Sequence, residues 1–239
     1  MFHPLLGSCP GGGNKVKLYL GPLSLFSWKV AIALDEKGIP HQRECVAFTQ
    51  ERGYEPRHPV VLAANPKRQV PVLVDGDLVL FDSTVILEYL EDRNPVPPLY
   101  PADPAARARC RLLELDADEI LFAPVRHLLF RTEPPHADVT VQEGRVAAGK
   151  AAEAEIARRF AELDAMLGPA SFFCGASPTV ADIGMFMTVL FTQRLRGPRL
   201  DPHPSLAGWY RRLLDRPAFG AAAAAIAAAD RRLSPALGV

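Results

Sequence analysis

The chain is poor in the residues that build metal centres and disulfide frameworks. Its four cysteines, Cys9, Cys45, Cys110 and Cys174, have no metal-ligand spacing and form no Cys-x-x-Cys pair, which excludes a dithiol redox motif and predicts no metal. Unpaired thiols fit a reducing, cytoplasmic compartment. Charge of one sign is lacking too: 27 Lys+Arg balance 27 Asp+Glu, so there is no electrostatic footprint for nucleic acid or an anionic membrane. No run approaches the roughly 18 apolar residues of a membrane span. Leu6-Gly7-Ser8-Cys9 looks like a lipoprotein processing site, but no Lys or Arg precedes Lys15, and the apolar core is only a pair of leucines, shorter than a signal peptide needs. Gly11-Gly12-Gly13 instead fits a flexible tail over residues 1–15.

What is present suffices for two modest domains in 239 residues. Residues 16–20 read as a short apolar strand broken by Gly21-Pro22. Residues 24–37 show helical spacing and stop at Gly38-Ile39-Pro40. An extended run over 41–48, a polar loop over 49–59 and a brief helical or irregular piece over 60–64 follow. Gln69-Val70-Pro71-Val72-Leu73 then opens a strand on a Val-Pro bond. A turn at Val74-Asp75-Gly76-Asp77 leads to a second strand, 78–81, which runs into a helix capped by Asp82 and Ser83. The order over residues 16–94 is βαβαββα.

The most informative stretch is the one from Gln69 to Thr84. A proline at a strand's start donates nothing to the ladder. If the Val70–Pro71 bond is cis, the chain bends and Val70 turns its own N–H and C=O outward, free to pair with an extended peptide. Asp82-Ser83 sits where a helix N-terminus offers unpaired N–H groups to a carboxylate. Together these features describe a socket for a small anionic peptide.

Asn94-Pro95-Val96-Pro97-Pro98 begins a proline-stiffened linker, 95–104, and residues 105–239 read as all-helical. A helix over 105–129 is expected to kink at Pro124. A long amphipathic helix over 141–167 carries Ile156, Phe160, Leu163 and Leu167 on one stripe. Thr179-Val180-Ala181-Asp182 is a capping box with Asp in place of the longer acid, and it opens a very apolar, central helix over 183–191. The alanine-rich run 221–229 is read as a packed terminal helix.

Four pieces in this order resemble the cytosolic glutathione S-transferases: Leu18-Tyr19-Leu20; Ser24-Leu25-Phe26-Ser27-Trp28-Lys29-Val30; Asn65 through Leu73; and Asp82-Ser83-Thr84-Val85-Ile86-Leu87-Glu88-Tyr89-Leu90. The resemblance covers nearly the whole chain. It implies a thioredoxin-like α/β N-terminal domain that binds glutathione as co-substrate, an all-α C-terminal domain, and a homodimer. It places Ser24 where the theta- and zeta-like branches carry the serine that stabilises the glutathione thiolate, with Ser27 close enough to share the role. Val70, Pro71, Asp82 and Ser83 are then the glutathione-binding residues, with Gln42 and His58 as candidates for its glycine carboxylate. The electrophile site falls to Phe122, Arg126 and His127, the last two suited to an anionic co-substrate. Asp82 stands where many members have the longer Glu, and Arg68 where zeta-like members tend to have Lys. Three functions follow as expectations: a glutathione S-transferase, a glutathione-dependent isomerase of the maleylacetoacetate type, or a non-catalytic binding or scaffolding protein of the same fold.

Overall fold

The computed structural model describes residues 16–55 and 57–238; the readings made on residues 1–15, including the tail, Cys9 and the lipoprotein-like segment, lie outside them. The first half is β1 (Val16–Leu20), α1 (Leu25–Glu36), β2 (His41–Cys45), α2 (Pro59–Ala64), β3 (Val72–Asp75), β4 (Leu78–Phe81) and α3 (Ser83–Arg93), the βαβαββα order of the sequence reading. The sheet runs β2-β1-β3-β4. β1 pairs in parallel with β2 and antiparallel with β3, and β3 pairs antiparallel with β4. The extended run expected over 41–48 leaves the ladder after Cys45, where Val46 N–H donates to the Leu20 carbonyl at 2.8 Å.

Helix α1 is apolar almost all round because it is covered on more than one side. Val30, Ile32, Ala33 and Leu34 are fully buried, and the helix touches α3, α7 and α9 as well as β1. The Val, Ile and Leu side chains contribute about 1.5–3 kcal/mol each on burial. One hydrophobic cluster therefore runs without interruption from Val16 to Ile226. A smaller one, Tyr19, Val46, Val61 and Val72, fills the other side of the sheet.

The second half is helical: α4 (Pro104–Leu115), α5 (Phe122–Arg126), α6 (Val139–Leu167), α7 (Val180–Arg194), α8 (Pro204–Leu214) and α9 (Pro217–Leu233). The single helix expected over 105–129 is corrected. A π-helical stretch, Asp116–Leu121, separates α4 from α5, so the disturbance precedes Pro124 rather than falling on it. A proline lacks an N–H, and its ring crowds the carbonyl four residues back, here Ile120; the wider π turn absorbs that crowding upstream. Helix α6 buries Ile156, Phe160, Leu163 and Leu167 as its stripe requires. The capping box at α7 is formed. Asp182 Oδ2 accepts from Thr179 N–H and Thr179 Oγ1, both at 2.9 Å, while its Oδ1 accepts from Phe173 N–H at 3.0 Å and Trp209 Nε1 at 2.9 Å. Burial pushes the Asp182 carboxyl up, and these donors hold it down. Among the described residues no helix is long and apolar enough to cross a membrane.

Candidate active site

A cavity of about 450 Å³ opens between the 65–71 loop and the β4–α3 junction of the first half and the π-helical stretch and α5 of the second. Asn65 builds one wall. Its buried side chain donates from Nδ2 to the Gln69 carbonyl at 2.7 Å and accepts the Lys67 N–H at 2.9 Å, while Arg68 turns the loop with a φ of 55°. This staples residues 65–69 into a turn that delivers Val70 to the cavity. The Val70–Pro71 bond is cis, as the sequence reading required. Among the described residues, neither the N–H nor the carbonyl of Val70 has a protein partner.

The opposite lip is the start of α3. Asp82 caps it, accepting the Thr84 N–H on Oδ1 at 3.1 Å, with its own φ at 74°. A non-glycine residue in that region is strained, and such residues concentrate at functional sites. Ser83 is buried beneath the lip. Val70, Pro71, Asp82, Ser83 and Thr84 all line the one cavity.

Phe26, Asp118, Glu119, Phe122, Arg126 and Leu129 form the remaining wall. Phe26 and Phe122 meet edge to face at 5.5 Å, and the Arg126 guanidinium lies 5.0 Å from the centre of the Phe122 ring. Asp118 is a pocket acid that the sequence reading missed. Its Oδ2 accepts from Lys29 Nζ at 2.6 Å, Lys29 also pairs with Glu114, and Glu114 accepts from Thr84 Oγ1 at 2.9 Å. Lys29 is wholly enclosed. Burial pushes the Asp118 carboxyl up, to about 6, against the pull of Lys29. Nothing local signals this cluster, because its partners are far apart in the chain and join only when α1 meets α4.

The other candidates stand apart from the cavity wall. Ser24 is the half-buried N-cap of α1, its Oγ accepting the Ser27 N–H at 3.3 Å, and it is Phe26, two residues on, that reaches the cavity. Ser27 is fully buried, and its Oγ accepts the Gly21 N–H at 3.2 Å. Gln42 is exposed on β2. His58 caps α2, accepting the Val60 N–H on Nδ1 at 3.3 Å, with its Nε2 2.9 Å from Glu44. His127 is exposed beyond Arg126. Among the described residues no group of His, Cys, Asp and Glu is arranged to hold a metal ion.

A sheet of this order followed by a helical half, with a cleft between them, defines a glutathione transferase-like architecture. Residues 23–93 match the glutathione S-transferase N-terminal domain, and residues 106–212 match the glutathione S-transferase C-terminal domain. The chain belongs to the glutathione S-transferase family. It is 33% identical over 213 residues to a maleylacetoacetate isomerase of Pseudomonas aeruginosa, covering 85% of this chain and 93% of that protein. It is 33% identical over 170 residues to a stringent starvation protein A homolog of Coxiella burnetii, covering 70% of this chain and 71% of that one. Among solved structures, the theta class glutathione S-transferase of the citrus canker pathogen Xanthomonas axonopodis pv. citri, with glutathione bound, superposes with a TM-score of 0.73 at 25% identity, covering 88% and 97% of the two chains.

Proposed function

We propose that this protein is a glutathione S-transferase enzyme, holding glutathione in the interdomain cleft and activating its thiol for attack on a small electrophile. The observation that carries the reading is the convergence in one cavity of Val70, with its unpaired N–H and C=O, and the first turn of α3. The cysteinyl unit pairs with Val70 as a short added strand. The γ-glutamyl carboxylate sits at the Ser83 end of α3, where backbone N–H groups and the helix dipole favour an anion, and Asp82 takes the ligand's amino group. Gln42 and His58 are assigned to the glycine end and Phe122, Arg126 and His127 to the electrophile end, with cavity lining supporting Phe122 and Arg126 alone.

Ser24 is assigned to the thiol. Its Oγ is occupied as an acceptor by the Ser27 N–H, which leaves its own O–H to donate. A free thiol has a pKa of about 8.5, so few percent ionise at pH 7. Lowering it by about two units takes roughly 2.7 kcal/mol, within reach of one charge-assisted bond plus a helix N-terminus.

Residues 16–94 form the glutathione-binding unit in this reading, 95–104 the linker and 105–239 the helical unit. The working form is a cytoplasmic homodimer. Leu78, Val85, Leu112 and Leu115 are exposed on β4, α3 and α4, which gives apolar surface for a second copy to cover.

Isothermal titration with glutathione, followed by a conjugation assay, tests the reading. Ser83→Ala removes a bond to a charged group and is expected to weaken glutathione binding about ten- to hundredfold; unchanged affinity overturns the assignment. A second reading, isomerisation of an anionic substrate, is favoured by Arg126 in the cavity wall and by the relative named maleylacetoacetate isomerase. A non-catalytic binding role is the third reading, and glutathione affinity without turnover on any electrophile would select it.

A further inference from the structure

Asp118 is a buried wall residue of the cavity whose charge balance is incomplete. Lys29 is shared between two carboxyl groups, Glu114 and Asp118, so the buried cluster carries one more acid than base. Glu114 has a second donor in Thr84. Asp118 has none: its Oδ1 is buried and, among the described residues, without a hydrogen-bond partner. A buried carboxylate oxygen left unmatched is costly unless something supplies a donor. Lys29 fixes the carboxyl from behind, through Oδ2, and the π-helical stretch that carries Asp118 sets it in the same wall as Phe122 and Arg126, four and eight residues on.

Resting on the glutathione-transferase reading, we propose that Asp118 is a specificity-determining residue for the second substrate, accepting a hydrogen bond from an electrophile that carries a hydroxyl, amide N–H or amine donor on a planar body. Phe26 and Phe122 supply the apolar, edge-to-face surface for that body. Lys29 is a positioning residue that keeps Oδ2 engaged, and Oδ1, which has no exposed surface of its own, meets the ligand's donor as the carboxylate turns toward the cavity. A site built to satisfy a donor discriminates strongly against the analogue that lacks it, because the buried acceptor is then left unpaired.

Stable conjugates test this without turnover. Titration calorimetry would compare S-benzylglutathione with its 2-, 3- and 4-hydroxybenzyl counterparts on the wild-type chain and on Asp118→Ala, with glutathione alone as a control. At least one hydroxybenzyl conjugate is expected to bind about tenfold or more tightly than the benzyl parent, and that ratio should fall to about one in Asp118→Ala. If that variant does not fold, Asp118→Asn keeps the shape and is expected to cut the ratio at least about threefold, since a neutral acceptor makes the weaker bond. No preference in the wild type, or a preference that survives in the variant, overturns the proposal while leaving the glutathione reading standing. Failure of glutathione and all four conjugates to bind overturns both.

Discussion

Lys37 Nζ lies 2.6 Å from Glu91 Oε2 in the interior, where the end of α1 meets α3. The same ammonium donates to the carbonyls of Asn94 at 2.7 Å and Pro97 at 2.9 Å, and Glu91 Oε2 also accepts the Leu99 N–H at 3.0 Å. One buried cation thus ties α1, α3 and the chain leading to α4. Lys37→Met strands Glu91 without its counter-charge and is expected to cost about 3–5 kcal/mol. Urea unfolding monitored by circular dichroism measures it; a loss under about 1 kcal/mol would show that the contact contributes little.

Asp182 is the second such node, with donors arriving from the loop before α7, from Thr179 and from Trp209 of α8. Asp182→Ala leaves three N–H donors unmatched, two of them buried, at about 1–3 kcal/mol for each buried one. The expected loss is about 3 kcal/mol or more, together with a shift in fluorescence as the Trp209 indole loses its partner. A stable variant with wild-type emission would contradict this.

Ser24 and Ser27 are expected to separate chemistry from folding. Ser24→Ala should raise the pKa of bound glutathione with its affinity nearly intact, so that turnover falls near neutral pH and recovers at high pH where the thiol ionises unaided. Ser27→Ala strands the buried Gly21 N–H and should cost about 1–3 kcal/mol of stability with little change in thiol ionisation. Thiolate absorbance against pH reads the first effect and thermal melting the second. Identical thiol pKa values in the wild type and Ser24→Ala would reduce Ser24 to a helix cap.

The Asp118 carboxyl gives stability a dependence on pH with a definite sign. Its pKa is raised from 3.8 to about 6, chiefly by burial, so the folded chain holds this proton more tightly than the unfolded chain. The stabilisation that results is complete below pH 3.8 and is lost as the pH rises through about 6. Asp118→Asn abolishes the titration and leaves Lys29 matched by Glu114 alone. Its stability relative to the wild type should therefore climb between pH 4 and pH 6.5, by at most about 3 kcal/mol, and level off above. Parallel curves for the two chains over that window would refute the assignment.

Local signals were legible where the physics is local. The Thr179–Asp182 box, the stripe from Ile156 to Leu167 and the cis bond at Val70–Pro71 each rest on residues a few positions apart, and each stands in the structure as read. The interior of the cleft was not legible in that way. Lys29 reads as one residue of an apolar helix until its partners, 85 and 89 positions away, are brought to it. The π turn that aims Asp118 has no periodicity of its own, and Pro124 drew attention to the wrong place because its effect is felt upstream. Charge and size alone could not separate Arg126, which lines the cavity, from His127, which does not.

The uninterrupted hydrophobic cluster from Val16 to Ile226 means that chain order and mechanical independence are different things in this protein. Helix α1 belongs to the first half by sequence, yet it is roofed by α7 and α9 of the second. A fragment ending near Asn94 would bare that roofed face to water and is expected to aggregate rather than fold. The whole chain, in turn, should melt in one transition, with calorimetric and van't Hoff enthalpies in agreement. The cleft between the halves is then less a hinge than a seam: its two walls are set by the same core, and the spacing between them holds for as long as the protein is folded.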